Sequence, residues 1–135
     1  MKTNPVFVYI EDDPVSRTIM QMLLCRVMGY DQLTIFADSA DFMTRIAGLP
    51  AKPDVVFLDI HVHPYNGFEM LDMLRSHDQY KDAFVVALTA SVMNEEVEQL
   101  HNAGFDGGIA KPLDQSQFPD LVQRILRKER IWHIR

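Results

Sequence analysis

The sequence predicts one α/β domain built on a parallel sheet, and three observations support this fold class. The chain has 135 residues, about the length of a single domain. Short apolar runs alternate with longer stretches of helical periodicity, as in a parallel sheet covered by helices. Several runs are almost entirely Val, Ile and Phe, as expected of strands buried on both faces. We therefore expect one domain over residues 1–135, with an ordered core at about 5–128 and a C-terminal tail at 129–135.

Five strands are predicted from runs rich in β-branched and aromatic residues. The first four runs are clear, whereas the fifth contains two adjacent glycines and is weak. The predicted strands cover residues 6–10, 33–36, 55–58, 84–88 and 107–110.

The first helix carries the clearest boundary signals. Asp13 is a suitable N-cap, Pro14 fits the first helical position, and Gly29 is a typical stop. Two further helices are expected at 39–47 and 68–75, after the second and third strands.

The last two helices are predicted from an acidic start and an apolar stripe. Asn94 is expected to cap the fourth helix, because the two glutamates after it suit the positive helix end. The fifth helix has apolar residues at i, i+3, i+4, i+7 and i+8 from Phe118. Pro119 must lie in its first turn, so we place the N-cap at Ser116 rather than Asp114.

Composition and charge exclude several classes of protein. Apolar residues make up 47% and charged residues 24%, which is ordinary for a globular domain. The net charge of −6 disfavours a general nucleic-acid binder. No apolar run approaches the ~20 residues that cross a bilayer, and the single cysteine excludes a disulfide framework. We expect a cytoplasmic protein without direct nucleic-acid contact or membrane insertion.

Polar side chains follow the predicted strands at their carboxyl ends, where parallel sheets bind ligands. Glu11 and Asp12 follow the first strand, Asp59 the third, Thr89 the fourth and Lys111 the fifth. If the first and third strands are neighbours, the carboxylates converge. Two carboxylates about 4 Å apart repel by roughly 4 kcal/mol at an effective dielectric near 20, so such a cluster requires a cation. Mg²⁺, which prefers a few carboxylates, waters and phosphate oxygens, fits this set.

The remaining two groups extend the same chemistry. Lys111 offers a point charge for a phosphate and Thr89 a hydroxyl donor. A carboxylate nucleophile, a metal and a cation together indicate acceptance of a phosphoryl group.

Four segments in fixed order resemble the receiver domain of two-component response regulators. They are VYIEDDP at 8–14, VVFLD at 55–59, ALTA at 87–90 and AKP at 110–112. The resemblance covers nearly the whole chain and is that of a stand-alone receiver. It implies a flavodoxin-like, doubly wound five-stranded parallel sheet in the order 2-1-3-4-5, with five helices on its two faces.

The resemblance also implies roles for particular residues. Asp59 matches the phospho-acceptor, Lys111 the phosphate-contacting lysine and Thr89 the switch hydroxyl. Pro112 matches a cis Lys–Pro peptide, which an X–Pro bond permits.

A Mg²⁺ site is implied by the same likeness. Asp12 and Asp59 would bind the ion directly, with Glu11 beside them. His61 falls where the family supplies a backbone carbonyl to the metal.

Two departures from the family pattern concern the signal readout and the conformation of one loop. The family usually has an aromatic residue three positions before the lysine, and this chain has Gly108 there. The loop after Asp59 keeps its usual length to Gly67, but its proline, Pro64, comes one residue late.

The function implied is a phospho-accepting signalling domain rather than an enzyme. Its partners would be a sensor histidine kinase or histidine phosphotransfer protein, and a downstream protein target, with a homodimer left open. Three alternatives remain: a receiver-like docking scaffold that is never phosphorylated, a phosphatase of the haloacid-dehalogenase type, and a flavodoxin-like FMN carrier. The last two rank low, because His61 replaces the second acid of the phosphatase and the acidic first loop would repel the FMN phosphate.

Several residues have plainer interpretations. Asp13 is as good a helix cap as a metal ligand, and the pair His61 and His63 lacks the further ligands that zinc needs. Cys25 is interpreted as a core or boundary residue. The apolar tail residues are equally consistent with folding back and with contacting a partner: Ile131, Trp132 and Ile134.

Overall fold

The computed structural model describes residues 4–91 and 93–134 of the chain. Strands and helices alternate along it. The strands are β1 (Phe7–Ile10), β2 (Leu33–Phe36), β3 (Val55–Asp59), β4 (Phe84–Thr89), β5 (Gly107–Ala110) and β6 (Trp132–His133). The helices are α1 (Pro14–Gln21), α2 (Phe42–Ala47), α3 (Gly67–Arg75), α4 (Asn94–Ala103) and α5 (Phe118–Leu126). No helix in the described ranges combines the length and apolarity needed to span a bilayer.

All neighbouring strands in the sheet run parallel, in the order β2-β1-β3-β4-β5-β6. The predicted order 2-1-3-4-5 is thus confirmed, and a sixth strand is added at the β5 edge. Because β1 lies between β2 and β3, the loops that follow β1 and β3 leave the sheet side by side.

The sheet separates two apolar cores, as in a doubly wound fold. Residues of α1 and α5 pack with alternate strand residues such as Phe7 and Phe57 on one face. Residues of α2, α3 and α4 pack with the intervening residues, such as Val8 and Leu58, on the other face. β1, β3 and β4 are buried along their whole length, in agreement with their nearly continuous apolar sequences.

The first helix begins as predicted. The Asp13 carboxylate accepts hydrogen bonds from the backbone N and hydroxyl of Ser16, and Pro14 is the first helical residue. These bonds lower the pKa of Asp13. The helix continues as a π-helical turn over Met22–Val27, which the sequence did not predict. Gly29 follows with a φ of +79°, consistent with its predicted role as a stop.

α2 starts later than predicted, at Phe42 instead of residue 39. Ser39 is buried, and its hydroxyl donates to the carbonyl of Tyr65 and accepts from the Tyr65 N–H, each at 2.7 Å. Asp41 then has a left-handed φ of 51°. Ser39 therefore belongs to a loop contact rather than to the helix.

The predicted caps of α4 and α5 are wrong. Met93 occupies the N-cap of α4, so Asn94 is already helical. At α5 the N-cap is Gln117. The hydroxyl of Ser116 donates to Asp114 Oδ1 at 2.6 Å, and the Ser116 N–H donates to the same oxygen at 2.9 Å. This local turn uses the serine before the helix begins.

Residues 130–134 fold back onto β5, and with β5 they form what we call the C-terminal edge. Gly108 pairs with Trp132, and the Gly108 N–H donates to the Ile131 carbonyl at 2.9 Å. Ile131 and Ile134 are buried in the two different cores. Of the two alternatives for the tail, the structure therefore shows folding back.

The glycines of β5 explain how the tail fits. A Cβ on Gly107 would lie 2.7 Å from the Ile131 carbonyl oxygen, and a Cβ on Gly108 would lie 2.8 Å from Cζ3 of Trp132. The Trp132 indole also stacks on the imidazole of His101 in α4, with ring centroids 3.6 Å apart. An aromatic side chain from β6 thus occupies the space in front of Gly108.

Candidate functional site

The predicted site residues follow neighbouring strands at one edge of the sheet. β1 and β3 pair with Ile10 opposite Leu58, so Glu11 and Asp12 emerge beside Asp59. β4 pairs with β3 on its other side, and β5 follows β4 and ends one residue before Lys111. We call the group Glu11, Asp12, Asp59 and Lys111 the acidic rim.

The three carboxylates of the acidic rim approach one another closely. Glu11, Asp12 and Asp59 each have a carboxylate oxygen within 4.8 Å of the others. Glu11 is fully buried, Asp59 is 4% exposed, and Asp12 is exposed. The cluster therefore reaches solvent mainly through Asp12. This convergence is the one that the strand order predicts.

Lys111 neutralises part of this charge. Its Nζ lies 2.8 Å from Glu11 Oε1 and 3.3 Å from Asp59 Oδ2. Burial lowers the pKa of Lys111, but the hydrogen bond to Glu11 and the charge of Asp59 outweigh it and raise the pKa overall. The ammonium therefore stays charged and bridges two carboxylates.

Opposing electrostatic effects act on the buried carboxylate of Glu11. Burial raises its pKa, and the contact with Asp59 adds to this effect, while hydrogen bonds from Lys111 and Tyr9 oppose it. The Asp13 N–H donates to Oε2 at 3.3 Å. An additional cation near Asp12 and Asp59 would relieve the repulsion that remains.

The donor set fits Mg²⁺. Its ligands are hard carboxylate oxygens, and the exposed Asp12 leaves room for the waters and phosphate oxygen that Mg²⁺ keeps. Among the described residues, the group of acidic, histidine or cysteine ligands that could hold a metal is this one, and it includes neither His61 nor His63.

The loop after β3 is held against Asp59. The His61 N–H donates to Asp59 Oδ1 at 3.2 Å, and the His61 side chain is exposed. The backbone of residue 61, rather than its imidazole, therefore lies next to Asp59. The loop contains a cis peptide at His63–Pro64, which was not predicted, while the predicted cis peptide at Lys111–Pro112 is present.

Thr89 lies at the same edge but bonds to its own loop. Its hydroxyl is buried and accepts from the Ser91 N–H at 3.0 Å. The Thr89 carbonyl accepts from the Lys111 N–H at 2.8 Å, which connects the loops after β4 and β5. Thr89 therefore fixes the loop that leads to α4, next to the acidic rim.

Two residues that contact Glu11 were not predicted from the sequence. The Tyr9 hydroxyl donates to Glu11 Oε1 at 2.6 Å, and Nη1 of Arg17 donates to the Glu11 carbonyl at 3.0 Å. Burial and the hydrogen bond to Glu11 raise the pKa of Tyr9, so its hydroxyl remains a donor. The spacing could have revealed Tyr9, because residues two apart on a strand lie on the same face.

Cys25 has no part in the site. It lies half-buried in the π-helical turn, and burial together with the charge of Asp31 raises the pKa of its thiol. This agrees with its interpretation as a boundary residue.

Comparison with known proteins identifies the class. The model of the response regulator receiver domain family matches residues 7–123, so the chain belongs to this family. The receiver domain is the phospho-accepting, regulatory component of two-component signalling rather than an ordinary enzyme, and the acidic rim suits that role. Both the fold class and the family resemblance inferred from the sequence are confirmed.

Individual relatives agree with this assignment. The transcriptional regulatory protein BtsR of Salmonella typhimurium is 30% identical over 122 residues, which are 90% of this chain and 47% of BtsR. Protein RcaC of Microchaete diplosiphon is 26% identical over 96% of this chain and 19% of its own length. The chain thus spans about half or less of these two curated relatives.

Solved structures share the fold. The chemotaxis response regulator CheY4 of Vibrio cholerae superposes with a TM-score of 0.79 at 23% identity, covering 91% of this chain and 99% of CheY4. The receiver domain of the sensor histidine kinase PA1611 from Pseudomonas aeruginosa, solved with magnesium in its active-site cleft, has a TM-score of 0.78 at 22% identity over 93% of this chain and 99% of its own.

Proposed function

We propose that this chain accepts a phosphoryl group from a phosphohistidine onto Asp59, with Mg²⁺ bound by Asp12, Asp59 and the backbone carbonyl of His61. The observation that carries the proposal is the convergence of three carboxylates and one lysine at the carboxyl edge of the sheet. Acceptance of a phosphoryl group depends mainly on positioning and charge neutralisation, which this arrangement supplies.

Asp59 is the best-placed nucleophile. Its Oδ1 accepts from the His61 N–H and its Oδ2 faces the Lys111 ammonium, so the carboxylate is held at both oxygens. Its side chain is 6% exposed and adjoins the exposed Asp12, which leaves a narrow approach from solvent. Glu11 is fully buried and Asp12 lacks the lysine contact, which makes both poorer acceptors.

Phosphoryl transfer to Asp59 exchanges a phosphorus–nitrogen bond for a phosphorus–oxygen bond. One Asp59 oxygen forms a bond to phosphorus while the phosphorus–nitrogen bond of the phosphohistidine breaks, and the imidazole nitrogen keeps the electron pair and takes a proton from solvent. Bound Mg²⁺ would neutralise charge on the transferring group. Lys111 would hold a phosphoryl oxygen, and the Thr89 hydroxyl would leave Ser91 to donate to another. The same groups would later assist hydrolysis.

Two exposed apolar side chains support partner contacts near this edge. Val15 in the first turn of α1 is 63% exposed, and Met93 just before α4 is 62% exposed. We propose that the first turn of α1 around Val15 meets a sensor histidine kinase or histidine phosphotransfer protein, and that the α4 region contacts a downstream protein. A homodimer and the cytoplasmic location remain predictions.

A second candidate is a docking scaffold that is never phosphorylated. It is favoured by the C-terminal edge, where Trp132 from β6 occupies the space in front of Gly108 and leaves no room for the usual switch aromatic. Phosphorylation separates the two candidates.

The test is incubation with Mg²⁺ and radiolabelled acetyl phosphate or phosphoramidate. We expect stable, acid-resistant label on the wild type and none on Asp59→Asn, with full labelling of the matched control Asp78→Asn, an exposed aspartate remote in sequence from the rim residues. Equal labelling of the wild type and Asp59→Asn would refute the acceptor. Absence of label on the wild type, also with a phosphorylated kinase as donor, would favour the scaffold.

A further inference from the structure

The hydroxyl of Tyr9, a residue of the buried strand β1, contacts the acidic rim. Tyr9 is fully buried in β1, and its Oη donates to Glu11 Oε1 at 2.6 Å. The same oxygen accepts from Lys111 Nζ at 2.8 Å, whereas this Nζ lies 3.3 Å from Asp59 Oδ2. Lys111 is therefore shared between two carboxylates and lies closer to Glu11 than to the acceptor.

Phosphorylation of Asp59 would add phosphoryl oxygens that compete with Glu11 for the Lys111 ammonium. An ammonium is a compact point charge that binds phosphate well, so Lys111 is drawn toward the new phosphoryl oxygens and away from Glu11. Glu11 is fully buried, and a buried carboxylate that loses a donor is costly unless another donor remains. The Tyr9 hydroxyl would still donate its hydrogen bond to Glu11 after Lys111 has moved.

We propose that Tyr9 is a positioning residue for phosphoryl acceptance: it holds Glu11 in place and keeps it hydrogen-bonded while Lys111 moves to the phosphoryl group. This inference rests on the proposed function of Asp59 as acceptor. It assigns a role to a core residue that does not itself touch the transferred group.

The hydroxyl can be tested separately from the ring. The Tyr9 ring packs edge-on against Phe57 with centroids 6.4 Å apart, and Phe at position 9 would keep this packing. Tyr30 offers a matched control, because its hydroxyl bonds Gln123 at 3.2 Å and takes no part in the acidic rim.

The experiment measures the rate of phosphorylation by acetyl phosphate at saturating Mg²⁺ and donor, together with the Mg²⁺ dissociation constant by calorimetry. We expect Tyr9→Phe to slow phosphorylation about tenfold, as for loss of one hydrogen bond to a charged group, while the Mg²⁺ dissociation constant changes less than about threefold. Tyr30→Phe should leave both unchanged.

A double-mutant cycle with Glu11→Gln distinguishes positioning from packing. A buried amide oxygen still accepts a hydrogen bond, but such a bond is weaker than one to a carboxylate, so Tyr9→Phe should slow the Glu11→Gln protein less than about threefold. If that background is too slow to label, affinity for beryllofluoride in the presence of Mg²⁺ provides the same comparison, because this phosphoryl mimic would bind the Asp59 carboxylate reversibly and present its fluorine atoms to Lys111. Equal slowing in both backgrounds, or no slowing in the wild-type background, would overturn the role of Tyr9 while leaving Asp59 as acceptor. A wild type that takes no label from acetyl phosphate or from a phosphorylated kinase would refute the proposed function itself.

Discussion

The acidic rim and the C-terminal edge lie on the same sheet but are held together by different forces. At the rim, three carboxylates lie within 4.8 Å of one another and are only partly neutralised by Lys111. At the edge, apolar side chains from 131–134 fill both cores and fit against glycines. The rim keeps like charges together at an energetic cost, whereas the edge stabilises the fold by burial.

This difference implies that the two regions separate function from stability. Changes at the edge should lower the free energy of unfolding and leave magnesium binding intact. Changes at the rim should weaken magnesium binding without loss of stability, because removing one carboxylate also removes repulsion.

The largest effect on stability is expected where the Trp132 indole packs against Gly108. Trp132→Ala removes a half-buried indole that contacts Gly108 and stacks on His101, and we expect a loss of about 3 kcal/mol in the free energy of unfolding. Gly108→Ala places a methyl group within 2.8 Å of that indole and should cost about 2 kcal/mol by overpacking. Urea denaturation measures both.

The two substitutions should not be additive. With Trp132 replaced by alanine, the methyl group at position 108 has room, so its added cost should fall to about 0.5 kcal/mol or less. Arg130→Ala is a control on the same segment, because Arg130 lies 3.8 Å from Asp106 at an exposed position. Additive losses in the free energy of unfolding would show that the Trp132 indole does not pack against Gly108.

A smaller effect, in the opposite region, is expected at Asp12. Asp12→Ala removes the exposed member of the carboxylate cluster, and magnesium affinity should fall about tenfold, equivalent to about 1.4 kcal/mol. The free energy of unfolding should not decrease. Isothermal calorimetry and urea denaturation measure the two quantities, with Asp78→Ala as a control. A variant that loses stability but keeps its affinity for magnesium would reverse the proposed separation.

The acidic rim could be predicted from the sequence because its residues lie at or directly after the carboxyl ends of predicted strands. Once β1 and β3 are neighbours, Glu11, Asp12 and Asp59 must meet, and that order follows from the family resemblance. Local turns were harder. Ser39 and Ser116 are of a residue type that often caps helices, but Ser39 bonds to the Tyr65 backbone and Ser116 bonds to Asp114 instead.

The sixth strand lay beyond prediction for a different reason. β6 has two residues and no alternating pattern of its own, and it fits against β5 because Gly107 and Gly108 lack a Cβ, which would clash with the tail. In the sequence, the two glycines indicate a weak fifth strand, and Gly108 stands where the family usually has an aromatic residue. Only the pairing of distant segments shows that they accommodate Trp132.

The position and the metal dependence of phosphorylation test the role of Asp59 most directly. Mass spectrometry of the protein after treatment with acetyl phosphate and Mg²⁺, with peptide mapping, measures both. We predict a single phosphoryl group on the peptide that contains Asp59, and its loss when EDTA replaces Mg²⁺. Phosphoryl incorporation at another residue, or undiminished incorporation in EDTA, would contradict the account.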